Sequence, residues 1–270
     1  RLRSPAPRRA VGGGDPIACR LRKECTSNHS LRGHMHYQRA SIRNAAITTL
    51  LLASLCAVPS RADASTDFEK AHALYGDSIA FDIYRNGTLV GEQTVRFSKK
   101  RDELAVDINF KLSIKALYIT FYEMTYTSQS LWQDGKLVSL TARTDRNGEK
   151  TAVNAIAKGS NLVGDGPAGN FSTPLGIYPT DHWNAGVVGS TQLVNTINGR
   201  VNDIRLVPGG PEKIATNRGT VEAMHYKYEG EIKNEVWYDA AGRWVHMSFF
   251  GDDGSLIEFR CRQCIPSSSP

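Results

Sequence analysis

The chain has 270 residues, five cysteines and a net charge of +6, from 33 Lys+Arg against 27 Asp+Glu. The excess sits at the N-terminal end: residues 1–64 carry 11 of the basic and 3 of the acidic residues, leaving 22 against 24, a net of −2, on the rest. That balance excludes the basic surface a nucleic-acid partner needs.

Residues 1–34 are rich in Arg, Gly and Pro, show almost no apolar periodicity and precede the first methionine, Met35. They are expected to be an upstream or non-native segment rather than part of a fold. Residues 35–64 have the layout of a cleavable secretory signal. Arg39 and Arg43 are followed by an apolar run of 14 residues, Ala45–Val58, then Pro59 and the small-x-small triplet Ala62-Asp63-Ala64. The run is too short to cross about 30 Å of hydrocarbon as a helix, and no other segment is as apolar, so no transmembrane segment is expected. Cys56 follows Leu55, where lipoprotein processing requires a small residue, so cleavage after Ala64 is expected instead of lipidation. The expected compartment is the periplasm of a Gram-negative bacterium. Cleavage leaves two cysteines, Cys261 and Cys264. An even count in an exported chain favours a disulfide.

The remainder is long enough for one domain, expected over residues 65–264, with 265–270 ("IPSSSP") as a disordered tail. A helix is expected over Asp67–Tyr75. Strand patterns then dominate. Ile79, Phe81 and Ile83 share a face, and Asn86-Gly87 fits a type I′ hairpin turn, whose two central residues need positive φ. Leu89, Val95 and Phe97 continue the apolar face. Leu104, Val106, Ile108, Phe110 and Leu112 alternate with polar residues, at a period of two that no helix satisfies. Further turns are expected at Asp134-Gly135, Asn147-Gly148, Ala241-Gly242 and Asp253-Gly254. Ten to twelve strands result, with no βαβ rhythm and no repeat period. The expected fold class is mainly all-β, built as antiparallel meanders with few short helices.

One strand is apolar on both faces. In "ALYITFYEMTYTSQSLW", Leu117, Ile119 and Phe121 take one side, expected to be core. Tyr118, Tyr122, Met124 and Tyr126 take the other, which either packs under a cover or lines a ligand groove. The segment "YPTDHWNAG", Tyr178–Gly186, gathers Asp181, His182 and Trp183 within a Gly- and Pro-rich connection. An acid beside an imidazole can serve proton transfer. Alternatively Asp181 caps a turn and Trp183 plugs one end of the sheet. His225 and His246 lie on strand patterns as half-buried, satisfied histidines. The pair Cys261 and Cys264 has no helix after it, no following His and no second ligand pair. Redox, haem and zinc roles are thereby disfavoured, and a structural disulfide is expected. Motifs for zinc hydrolysis, the nucleophile elbow, P-loops and dinucleotide binding are absent. No cofactor and no metal are expected.

The stretches "YRNGTLVGEQTVRF", "LWQDGKLVSL", "YPTDHWN" and "VWYDAAGRWVHMSF" together resemble an uncharacterised family of exported bacterial domains of unknown function. Through that family they resemble, distantly, the half-barrels of periplasmic lipoprotein carriers. The resemblance implies a single curved antiparallel sheet, a half-barrel or open barrel with few short helices, in an exported compartment, and carries over no catalytic residue. The function expected is a non-enzymatic periplasmic binding or carrier protein. Its ligand would be a hydrophobic or amphipathic small molecule or lipid, held by Tyr118, Tyr122, Tyr126, Tyr178 and Trp183. Alternatives are a small hydrolase using Asp181 and His182, or an envelope structural protein that offers a sheet edge to a partner.

Overall fold

The computed structural model describes residues 66–116 and 119–267. Helix α1 spans Asp67–Tyr75, as its sequence predicts. Thr66 caps it in a reciprocal box: the Glu69 amide donates to Thr66 Oγ1 at 3.3 Å, and the Thr66 amide donates to Glu69 Oε2 at 2.8 Å. The N-terminal signal pattern and the segment before it lie outside the described residues, as do Leu117 and Tyr118.

Fifteen strands follow among the described residues, three more than the upper expectation. They are β1 (Ser78–Arg85), β2 (Thr88–Lys100), β3 (Glu103–Ala116), β4 (Ile119–Gln133), β5 (Lys136–Arg146), β6 (Glu149–Lys158), β7 (Asn161–Gly166) and β8 (Gly169–Pro174). The second half of the chain adds β9 (Tyr178–Pro179), β10 (Gln192–Val194), β11 (Val201–Thr216), β12 (Gly219–Gly230), β13 (Asn234–Asp239), β14 (Trp244–Phe250) and β15 (Leu256–Gln263). All belong to one sheet in the order β8-β7-β6-β5-β4-β3-β2-β1-β15-β14-β13-β12-β11-β10-β9. Two meanders thus run outward from the centre, where the first and last strands pair. Every pair is antiparallel except β9 with β10, which is parallel and departs from the expected uniform sheet.

The predicted turns set this register. Asn86, Asp134 and Asn147 all have positive φ, each followed by a glycine that does too, as two-residue type I′ hairpins require. The strands missed from sequence are short and Gly-rich, such as β7 and β8, and show no alternation. Strand β11 contains Pro208 and Pro211, which lack the amide a sheet interior needs. They are tolerated because β10 pairs only with Val201, Asn202 and Asp203, leaving the rest of β11 as an edge.

The sheet curves around its buried face without closing into a barrel: β8 and β9 are the two ends of its order. The ends nevertheless meet. The Ala168 amide, at the tip between β7 and β8, donates to the Asn198 carbonyl at 2.9 Å. A Cβ on Gly166 would come within 2.9 Å of that same oxygen, so only glycine permits the approach.

The segment Ile177–Val188 crosses the interior and divides it. On one side lies a packed aromatic core. Trp183 stands edge-on to Trp132 (5.3 Å) and Phe97 (5.4 Å), and Phe97 stacks on Tyr75 of α1 (5.2 Å). The Tyr75 hydroxyl donates to the Trp183 carbonyl at 2.6 Å and accepts from the Trp244 amide at 2.9 Å. Helix and plug are thereby tied to β14. A disulfide joins Cys261 and Cys264. The tail expected to fray from residue 265 is instead held at its start. Ile265 is buried, and its amide and carbonyl both bond the Asn217 side chain.

Candidate functional site

On the other side of the crossing segment the buried face opens into a cavity of about 740 Å³. Its walls follow from strand alternation. Strands β3 and β4 pair so that Ile108 faces Ser128, Phe110 faces Tyr126, Leu112 faces Met124 and Ile114 faces Tyr122. Toward the β2–β3 turn the same face holds Leu104, Val106 and Trp132, all fully packed; toward the opposite end it lines empty space. Met247 and Phe249 of β14 with Ile257 and Phe259 of β15 form the facing wall. The rim carries Arg85, Arg146, Glu231, Lys233, Asp252 and Asp253, and Phe250, 71 % exposed, stands among them.

This arrangement revises the expected faces of β4. The tyrosine side is the buried side: Tyr126 is buried, Tyr122 is half-buried, and both line the cavity. The opposite side is not core, since Phe121 is 64 % exposed. Core and cavity share one face because the sheet is a single layer, so the side away from the core meets solvent. Tyr118 lies outside the described residues. Trp183 and Tyr178, expected near the groove, are part of the crossing segment but do not line the cavity. Trp183 is in the aromatic core, and Tyr178 lies beside Trp132 with ring centroids 5.9 Å apart. The alternative of Trp183 as a plug matches its position.

The floor of the cavity is Thr180, Asp181 and His182. His182 has φ 61°, in the left-handed region, and this turn sends adjacent side chains apart. Asp181 points to β4, where its Oδ1 accepts from the Tyr126 hydroxyl at 3.3 Å. Its Oδ2 is buried with no partner among the described residues. Burial pushes this carboxyl up to about 7, against the hydrogen bond from Tyr126, which lowers it. His182 points to β12. Its Nδ1 lies 3.2 Å from the Tyr228 hydroxyl, and its Nε2 lies 3.4 Å from the Asn234 amide nitrogen. Burial pulls the imidazole down to about 4, so it is neutral at neutral pH. The Tyr238 hydroxyl donates to the His182 carbonyl at 2.8 Å and holds the turn.

Chemically, the floor can hold a proton on Asp181 near neutral pH and can offer hydrogen bonds. The structure does not pair Asp181 with His182, and both histidine nitrogens meet groups other than a nucleophile. Sequence reasoning singled out this pair, and Met124 on the groove face, but missed Phe110, Met247, Phe249 and Phe259 as walls. Their alternation was visible; which half of each strand would be left unpacked was not. His225 and His246 stand elsewhere. His225 stacks on Trp237 at 4.4 Å, with its nitrogens 3.2 and 3.1 Å from Glu212 and Glu235, and His246 lies edge-on to the same ring. Among the described residues no group of His, Cys, Asp and Glu could hold a metal ion. No helix there is long and apolar enough to cross a membrane.

The family described as "Domain of unknown function (DUF6134)" matches residues 81–262. The chain belongs to this family. The DUF6134 segment contains every residue that lines the cavity; α1, the first three residues of β1 and Cys264 lie outside it. The chain is also similar to a beta-barrel-like protein of domain of unknown function DUF1849 from Brucella abortus, known from a crystal structure. The two are 12 % identical with a TM-score of 0.52, and the match covers 71 % of this chain and 98 % of that one. At that identity the likeness is one of fold. No curated protein matches the sequence significantly.

Proposed function

We propose that this DUF6134 protein is a non-enzymatic periplasmic binding or carrier protein for an apolar or amphipathic ligand. The observation that supports this reading is the cavity. Its volume of about 740 Å³ lies within the range of small-molecule sites, and Ile, Leu, Phe, Met and Tyr side chains form much of its wall beside polar groups at the floor and rim. An exposed Phe250 at the rim suits the entry of an apolar chain. The periplasm is proposed from the signal pattern of residues 35–64, and the Cys261–Cys264 disulfide suits an oxidising compartment.

The test is binding of a neutral hydrophobic fluorophore to the purified protein, with native mass spectrometry for co-purified ligand. Saturable binding is expected. Tyr122→Ala, at a half-buried wall position, is expected to weaken it by about 1–3 kcal/mol while leaving the unfolding transition in place. Absence of any saturable binding by the wild type, together with a Tyr122→Ala protein that simply unfolds, would return these tyrosines to ordinary packing and remove the carrier reading.

A further inference from the structure

Four buried side-chain atoms among the described residues lack a partner, and only one of them, on Asp181, belongs to a residue that lines the cavity. Asp181 is 5 % exposed and lines the cavity, yet it receives one hydrogen bond, from Tyr126, and its Oδ2 has no partner among the described residues. A buried carboxyl oxygen without a donor is costly to the fold and rare in native proteins, and in a binding cavity it marks where a bound molecule completes the bonding. No donor among the described residues lies within hydrogen-bonding distance of it. The Thr180 and Thr196 hydroxyls are 3.0 Å apart, and one donates to the other. The two nitrogens of His182 face Tyr228 and Asn234.

We propose that the cavity selects a ligand whose inner end carries a hydrogen-bond donor, a hydroxyl or amine on an otherwise apolar chain, and that this donor bonds the Asp181 carboxyl. The inference rests on the reading of the cavity as a ligand site and names what that ligand must offer. An anionic head is disfavoured at both ends. At the floor it would meet a carboxyl with a neutral imidazole beside it. At the rim, Arg85, Arg146 and Lys233 are balanced by Glu231, Asp252 and Asp253, and Arg85 is already paired with Asp253. The depth fits a chain: β3 lines the cavity from Ile108 to Ile114, about 20 Å at the usual rise per strand residue.

The experiment is displacement of prodan, a neutral fluorophore without a donor, at pH 8 by four chains of equal length: dodecanol, dodecylamine, dodecanoate and methyl undecanoate. Dodecanol or dodecylamine is expected to bind at least about tenfold tighter than the methyl ester, and comparison of these two tells a hydroxyl from an amine. In Asp181→Ala that preference is expected to fall below about twofold. Should the variant fail to fold, the wild-type series alone decides. Equal binding of all four chains, or tightest binding of dodecanoate, overturns the inference and leaves the carrier reading standing. Failure of prodan and every chain to bind removes the carrier reading itself.

Discussion

Asp181 and His182 are adjacent in sequence and opposite in their effect on stability. Asp181 is raised from 3.8 to about 7, so the folded state holds its proton where the unfolded chain has lost it. Stability therefore falls as pH rises from about 4 to 7, and stays at the lower level above that. Three units correspond to a penalty on the order of 4 kcal/mol. His182 is lowered from 6.5 to about 4, so the unfolded chain takes up a proton that the fold refuses. Its contribution rises with pH across 4 to 6.5. The two slopes oppose each other over that window, and the wild type is expected to show little net dependence from this pair. Asp181→Asn is expected to unmask the rising histidine slope and to gain stability above pH 7. His182→Gln is expected to unmask the falling one. Denaturant melts at pH 4.5, 6 and 8 check this, and parallel pH profiles for all three proteins would refute it. The residue types and their adjacency were plain in the sequence. Their burial was not, because nothing local shows that a Gly- and Pro-rich connection will run through the core.

Helix α1 and the crossing segment act together as one closure. The helix was expected over its observed residues, and the structure adds the Thr66–Glu69 box that caps it. What the helix does was not legible, since it depends on a hydroxyl 108 residues away in sequence from its acceptor. Tyr75→Phe keeps the stack on Phe97 but leaves the Trp183 carbonyl and the Trp244 amide without a shared partner in the core. The expected cost is about 1–3 kcal/mol, read as a lower denaturant midpoint at unchanged slope. A loss below about 0.3 kcal/mol would show that water replaces the hydroxyl and that the segment is not pinned there. The tyrosine strand teaches the complementary point. Two apolar faces read from sequence as core plus groove, but in a single-layer sheet the second face, with Phe121, is open to solvent.

At the scale of the whole molecule, a fifteen-strand sheet keeps its curvature with its two end strands unpaired to each other, so the contact between the β7–β8 tip and the loop before β11 is a seam. Gly166→Ala forces a Cβ to within 2.9 Å of the Asn198 carbonyl. It is expected to cost roughly 1–3 kcal/mol, as overpacking does, and to raise hydrogen exchange at the Ala168 amide ahead of the central strands. Unchanged exchange at Ala168 would mean that the curvature is set by strand twist alone.

The sequence by itself determined the elements whose causes are local. These are the helix, the Asn-Gly and Asp-Gly hairpins, the period-two strands and the short-range Cys261–Cys264 pair, each fixed by a few neighbouring residues. From these the all-β class followed, while the open, curved architecture was implied by the family resemblance. Only the tertiary structure decided which half of the buried face is filled by Trp132, Trp183, Tyr75 and Phe97 and which half is left as a cavity. It also decided that Trp183 and Tyr178 belong to the first half and Tyr122 and Tyr126 to the second. Filling is a sum over side chains from strands far apart in the chain, and alternation says only which face they share. The same holds for Asp181: its type is written in the sequence, but the want of a second partner at its carboxyl is a property of everything packed around it.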